Sequence, residues 1–214
     1  MENTLIIAAT ADEIAPFMQL PANQRQGMDI LVTGVGMVAT AFAIGKQLAI
    51  SHYDLLLNVG ICGSFNRDIP LGEVVHVYRD TFAELGAEDG AQFVDSETLG
   101  LATHTYYSEH RISHPEINRL RQCKGITVNR VHGDERAIEA VANRIHPDTE
   151  SMEGAAVFYA AHHAGLPAVQ VRAVSNYVER RNRDNWRVPL AIETLNRWLI
   201  AFAHSGGTVT PPLF

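Results

Sequence analysis

"LLLNVGICGSF", residues 55–65, is the stretch that decides the fold. Leu55–Val59 reads as an apolar strand, and glycine and small residues follow it at once in "GICGS". A strand without a polar face is covered on both sides, as in a sheet packed between helices. The same signature recurs to either side. Leu5–Ala9 is a short apolar run leading into Asp12, Glu13 and an amphipathic stretch. Asp29–Thr33 leads through "GVG" into a helix from about Val38 to Ile50. Further on, Glu73–Tyr78 alternates Val74, Val75 and Val77 with polar residues, Ile126–Val131 ends in "HGDE", and Ala168–Val174 is the last central strand. Ala-rich Met152–Ala164 and Trp186–His204 read as helices. Residues 81–100 are polar, contain glycine and lack a clear period, which suits a long functional loop. No internal repeat or low-complexity segment interrupts the pattern.

Apolar strands alternating with helices predict an α/β fold with both sheet faces covered, and 214 residues fit one domain, 1–214, better than two. Ligands of such folds collect beyond the carboxyl ends of the strands. The residues that follow each strand are therefore the candidates: Glu13, Gly34–Gly36, Gly60–Ser64, His132–Asp134 and Ser175–Asn176.

Composition narrows the function classes. Hydrophobic residues make up 46% and charged residues 19%, an ordinary globular balance. A formal charge of −7 argues against general affinity for nucleic acid or an anionic membrane. Cys62 and Cys123 are too few for a disulfide framework and lack zinc spacing, so both are expected as reduced thiols in a cytosolic protein. "MENTLIIAAT" has no basic region, so no signal peptide is expected, and no apolar stretch is long enough to span a membrane. The ten histidines show no metal-binding spacing; there is no G-x-S-x-G elbow and no P-loop.

Three motifs have more than one reading. "TGVGMVA" (Thr33–Ala39) matches a dinucleotide fingerprint, yet Asp54, at nearly the distance of the usual acidic partner, precedes its strand and sits at the wrong end. A tight turn, or glycines that bring backbone N–H groups to a smaller polar ligand, would also explain it. In "NVGICGSF" the side-chain-free positions would let a flat ring approach the backbone, and a plain turn would serve equally. In "ESMEGAAVFYAA" Glu153 at a helix start is either a ligand for something or a helix-dipole partner.

Taken in order, "LIIAATADEI", "TGVGMVATA", "LNVGICGSF", "GEVV", "HGDE", "SMEGAA" and "VRAVSN" resemble the purine nucleoside phosphorylase/5′-methylthioadenosine nucleosidase superfamily. The likeness runs from Leu5 to Asn176. It implies a three-layer sandwich with a mixed central sheet, N-glycosidic chemistry without a cofactor or metal, and a homodimer or higher homo-oligomer. It also implies roles. Glu13 would orient or deprotonate water. Glu153 would hold the ribose hydroxyls, with Met152 against the sugar. Cys62 and Gly63 would line the base, Arg172 would stand near the nucleophile, and Ser175 and Asn176 would meet purine N7. A carboxylate under the ribose suits the positive charge that develops there, and a partner at N7 helps the base leave neutral.

This sequence departs from the superfamily pattern in three places. Adenine-specific nucleosidases carry aspartate where this chain has Asn176, and an amide can donate to a 6-oxo group while accepting from a protonated N7. A 6-oxopurine follows, unless Asn176 only caps the strand turn. Phosphorylases often carry an arginine where this chain has Asn58, which favours water as nucleophile. Arg136 stands near where nucleosidases often stack an aromatic ring on the base. Finally, "SNYVERRNRDNW" is similar to the futalosine hydrolases within the superfamily. Futalosine carries hypoxanthine at one end and a carboxyphenyl ketone at the other. Arg180, Arg181, Arg183 and Arg187 would meet that carboxylate, if they are not simply paired with Glu179 and Asp184 on the surface. The implied reaction releases hypoxanthine and dehypoxanthinyl futalosine in a menaquinone pathway. A methylthioadenosine/adenosylhomocysteine nucleosidase, an inosine phosphorylase and a non-enzymatic nucleotide-binding module stay open as alternatives.

Overall fold

A computed structural model describes residues 3–25, 27–90, 92–108, 112–205 and 208–209. In chain order the strands are β1 (Thr4–Ala8), β2 (Met28–Val32), β3 (Leu55–Ser64), β4 (Val74–Phe82), β5 (Gly86–Asp89), β6 (Gln92–Asp95), β7 (Thr105–Tyr107), β8 (Ile112–Ser113), β9 (Arg121–Thr127), β10 (Thr149–Ser151), β11 (Ala168–Tyr177) and β12 (Thr208–Val209). The helices are α1 (Ala15–Met18), α2 (Met37–Leu48), α3 (Pro115–Asn118), α4 (Glu135–Ile145), α5 (Gly154–Ala164) and α6 (Val188–His204).

The central sheet runs β10-β9-β4-β11-β3-β1-β2, with β7 added to β4. It is mixed: β11 lies parallel to β3 and antiparallel to β4. Strand alternation explains the apolar runs. Ile6, Ala8, Leu55, Leu57 and Val59 face one core, shared with Phe17, Leu195, Trp198 and Phe202. Leu5, Ile7 and Leu56 face the other, shared with Ile44 of α2 and Val157 and Phe158 of α5. Successive side chains point to opposite faces, so a strand between two cores must be apolar throughout.

Four local expectations are corrected. "GICGS" is not a turn: β3 continues through Ser64 because β11 runs beside it to Tyr177 and β10 pairs with its end. Ser175 and Asn176 accordingly lie inside β11, at a register shift between Val174 and Asn176, and a bulge of this kind re-aims side chains. Residues 81–100 are not one long loop. Thr81 and Phe82 belong to β4, and β5 and β6 form an antiparallel hairpin; all four residues of β5 are exposed, so no alternation marks it. The strand expected over Ile126–Val131 is β9, which ends at Thr127. Helix α4 was not foreseen; Asp134 caps it by accepting from Ala137 N at 3.1 Å.

β10 pairs in parallel with β9 and antiparallel with β3, through Thr149–Ser64 and Glu150–Gly63. That second pairing curls this side of the sheet back onto β3. It brings "ESMEG" and "GICGS", almost ninety positions apart, to the end of β11 that carries Asn176.

Candidate active site

Arg172 organises the site. It projects from β11 and is 1% exposed. A buried guanidinium needs partners on every edge, and three neighbours supply them. Nε donates to Gln170 Oε1 at 3.0 Å, Nη2 donates to Asn58 Oδ1 at 2.6 Å, and Nη1 lies 3.7 Å from Glu153 Oε2. Asn58 is in turn oriented by its donation to Ile7 O at 3.2 Å. Gln170 donates to Asp80 Oδ2 at 2.8 Å, and Thr127 donates to Asp80 Oδ1 at 2.9 Å. Burial pushes the Asp80 carboxyl up to about 6, against the opposing pull of the Gln170 and Thr127 bonds and the Arg172 charge.

Gly60 gives Arg172 room. A Cβ there would meet Arg172 Nη1 at 2.4 Å and Glu13 Oε1 at 2.8 Å. The bare backbone lets both groups come over the strand. Glu13, in the short helical turn after β1, is buried. Its Oε1 accepts from Ile61 N at 3.0 Å, and its Oε2 accepts from Thr10 N and Thr10 Oγ1, each at 3.0 Å. A carboxylate has about four acceptor positions, so one remains for water.

Glu153 occupies the N-cap of α5 but makes no capping bond. Its Oε1 accepts from Gly36 N at 3.0 Å, and its Oε2 faces Arg172. The reading of Glu153 as a helix-dipole partner is therefore not what its side chain does. The contact also explains "TGVGMVA": Gly36, at φ +95, presents its N–H to this carboxylate. Met152 beside it is half-buried.

Asn176 stands at the other end. Ser175 Oγ donates to Asn176 Oδ1 at 2.8 Å and lies 3.1 Å from Cys62 O, while Asn176 Nδ2 donates to Tyr177 O at 3.0 Å. A Cβ on Gly63 would meet Val178 Cγ2 at 2.9 Å and Asn176 Nδ2 at 3.3 Å, so the missing side chain lets both groups pack against the strand. The Cys62 side chain turns away into a core with Val75, Val77 and Val174, and burial pushes its thiol up to about 12. Only the backbone of Cys62 is available to a ligand here.

Arg180, Arg181, Arg183 and Arg187 are exposed. The alternative of surface pairing with Glu179 and Asp184 is not seen among the described residues: Glu179 pairs with Arg67 at 2.5 Å instead, and none of the four arginines is ion-paired to a carboxylate. Arg181 lies 5.2 Å over the Trp186 ring, and both line a cavity with Asn176 and Gly63. Arg136 is exposed on α4. Sequence reasoning missed Asp80, Gln170 and Glu150. Each acts through a partner far along the chain, and local spacing carries no signal of that. Among the described residues no group of three or more His, Cys, Asp or Glu is placed to hold a metal, and no helix is long and apolar enough to cross a membrane.

Residues 23–204 match the family described as Phosphorylase superfamily. Futalosine hydrolase of Acidothermus cellulolyticus is 35% identical, over 94% of this chain and 87% of that protein. Its counterpart in Thermus thermophilus is 29% identical over 87% and 86%. Among solved structures, the 5′-methylthioadenosine/S-adenosylhomocysteine nucleosidase of Neisseria meningitidis, bound to methylthio-immucillin-A, superposes with a TM-score of 0.80 at 16% identity, covering 94% of this chain and 98% of that one. Futalosine hydrolase of Helicobacter pylori strain 26695 gives 0.77 at 13% identity, covering 95% and 98%. These two establish likeness of fold.

Proposed function

Since the chain belongs to the phosphorylase superfamily, we propose that it is a nucleosidase that hydrolyses futalosine to hypoxanthine and dehypoxanthinyl futalosine, in a menaquinone pathway. The observation that carries hydrolysis rather than phosphorolysis is the Asn58–Arg172 bond of 2.6 Å. Where phosphorylases often add a cation, this chain has an amide that occupies the guanidinium already present. Glu13, Glu153 and Asp80 surround that single cation, so the balance of charge disfavours phosphate and tolerates water. The curated relatives, futalosine hydrolases at 29–35% identity over most of the chain, support the substrate.

Glu13 takes the proton of the attacking water. Glu153 holds the ribose hydroxyls and, with Glu13, stabilises positive charge on the sugar as the bond to the base lengthens. Asn176 Nδ2 donates to O6 of the base and its Oδ1 accepts from N7–H, exchanging its present partners for those of the ligand. The arginines that follow β11, none of them holding a carboxylate among the described residues, meet the carboxylate of the 5′ substituent. Arg181 shares the Asn176 cavity, so that contact falls to Arg180, Arg183 or Arg187. The deciding assay is chromatography of free base after incubation with futalosine, inosine and methylthioadenosine, each with and without phosphate. Hypoxanthine from futalosine, independent of phosphate and about tenfold or more faster than from inosine, is expected. Release that requires phosphate, or adenine released at a comparable rate, defeats the reading.

Asn176→Asp is expected to lower hypoxanthine release by roughly 100-fold or more and to shift preference toward 6-amino bases, because two acceptors would face each other at O6. Equal relative rates on inosine and methylthioadenosine before and after the change would remove Asn176 from base recognition.

We also read the protein as a cytosolic homodimer or larger homo-oligomer. Val35, just before α2, and Val38 and Phe42 on it stand 57%, 78% and 74% exposed, at a mostly apolar hollow of about 450 Å3 lined by Met37, Val38, Ala41, Phe82, Leu85 and Tyr159. Apolar surface gathered in this way marks an interface. Light scattering on the purified chain should give at least twice the chain mass; a monomer at micromolar concentration would refute this.

A further inference from the structure

Gly63 has no side chain, and a functional group stands on each side of it. On β3 it pairs with Asn176 of β11 in one direction and with Glu150 of β10 in the other. Neighbouring strands lie about 4.8 Å apart, so the three residues form a short row across the closed end of the sheet. Glu150 is 4% exposed, and both its oxygens are taken by one residue. His132 donates its backbone N–H to Oε1 at 2.9 Å, and its ring Nδ1 bonds Oε2. A carboxylate can only accept, so Nδ1 carries the proton. Gripped at backbone and ring, the imidazole is held in one plane and one tautomer, with Nε2 as its free nitrogen.

His132 and Glu150 line the same cavity as Asn176, with a volume of about 70 Å3. A whole-ligand pocket needs roughly 300 Å3 or more, so this one admits the edge of a ring. The other titratable or charged groups on its wall are Tyr177, Glu179 and Arg181. Tyr177 donates its hydroxyl to Ile69 O, and Glu179 is engaged by Arg67 and Asn185. Neither is free to act on a ligand, and Arg181 cannot release its proton.

Resting on the reading of the chain as a futalosine-cleaving nucleosidase, we infer that His132 is the proton donor to the departing base and that Glu150 is the positioning residue that holds its ring. Asn176 has no proton of catalytic value to release. As the C1′–N9 bond breaks, its electron pair stays with the base. The imidazolium Nε2–H passes its proton to purine N7, and Asn176 Oδ1 shares the resulting N7–H, while the water oxygen bonds C1′ and gives its proton to Glu13. The neutral imidazole keeps Nδ1–H on Glu150 and regains a proton from solvent as Glu13 loses one, so the cycle closes without a co-reactant.

The test uses full-length wild type, His132→Gln, His132→Ala, Glu150→Gln and Glu150→Asp, assayed on futalosine, inosine and methylthioadenosine, with thermal melting as the control for folding. His132→Gln should lose about 100-fold or more in kcat, with KM within about threefold of wild type. Added imidazole should raise turnover of His132→Ala at least about tenfold, following its protonated fraction. Glu150→Gln should lose about tenfold in kcat at similar KM, and Glu150→Asp should recover part of it. A folded His132→Gln with kcat within about threefold of wild type, or His132→Ala that imidazole does not rescue, overturns the assignment and leaves the nucleosidase reading standing. If the variants do not fold, histidine nitrogen NMR of the wild type decides: hypoxanthine must shift the His132 Nε2 signal, and an unmoved signal overturns the proposal. A wild type that releases base from none of the three nucleosides overturns the nucleosidase reading, and this one with it.

Discussion

Glu13→Gln is expected to slow hypoxanthine release by roughly 100- to 10,000-fold, the range that a single positioned acid–base group supplies. The amide can still accept from Ile61 N as Glu13 Oε1 does now, at 3.0 Å, but it cannot take a proton from water. Its –NH2 would face Thr10 N, which now donates to Oε2 at 3.0 Å, so one partly buried bond is lost. That costs about 1–2 kcal/mol of stability, small enough for the folded variant to be assayed. Single-turnover kinetics on futalosine, with melting of the same sample, separates the two effects. A folded Glu13→Gln that keeps more than about a tenth of wild-type kcat would exclude Glu13 as the base.

Arg172→Met should carry a large stability cost, about 3–5 kcal/mol, because it strands the partners of a buried cation. Glu153 Oε2 would lose its counter-charge, and Asn58 Oδ1 and Gln170 Oε1 would lose their donors. For a domain of this size that corresponds to a melting point lower by about 6–20 °C. Adding Glu153→Gln should recover part of the loss by removing the uncompensated charge, which a simple packing defect would not show. Asp80 supplies a second readout. Burial has raised its carboxyl from 3.8 to about 6, so ionising it costs the folded state, and stability is lost as pH rises through that window. Without the lowering influence of Arg172 the window should extend to higher pH. Urea titrations across pH test both; a loss below about 1 kcal/mol would mean that the network does not depend on its cation.

Much of this was legible in the chain itself. β1 and the first half of β3 announce themselves as apolar runs because each serves two cores, and β11 turns Val169, Val171 and Ala173 to one of them, so the α/β class follows from local pattern. A rule of position, at or near the carboxyl ends of strands, makes Glu13 and Asn176 candidates. The identity of residue 176 as an amide is likewise a fact of sequence, and the expectation of a 6-oxo base rests on it together with the resemblance that sets this position at purine N7.

Tertiary structure alone decided where those strands stop and what the polar groups do to one another. β3 and β11 overrun their expected ends because strand length is set by the neighbour that pairs with it, and β10, only three residues long, completes the closed end. The bonds that build the site join residues far apart in the chain: 114 positions between Arg172 and Asn58, 117 between Gly36 and Glu153, 90 between Gln170 and Asp80. Spacing and periodicity report only what lies within a turn or a strand. A buried charge takes its character from whatever the fold sets beside it, and for Arg172, Asp80 and the His132–Glu150 pair those neighbours exist only once the sheet has closed.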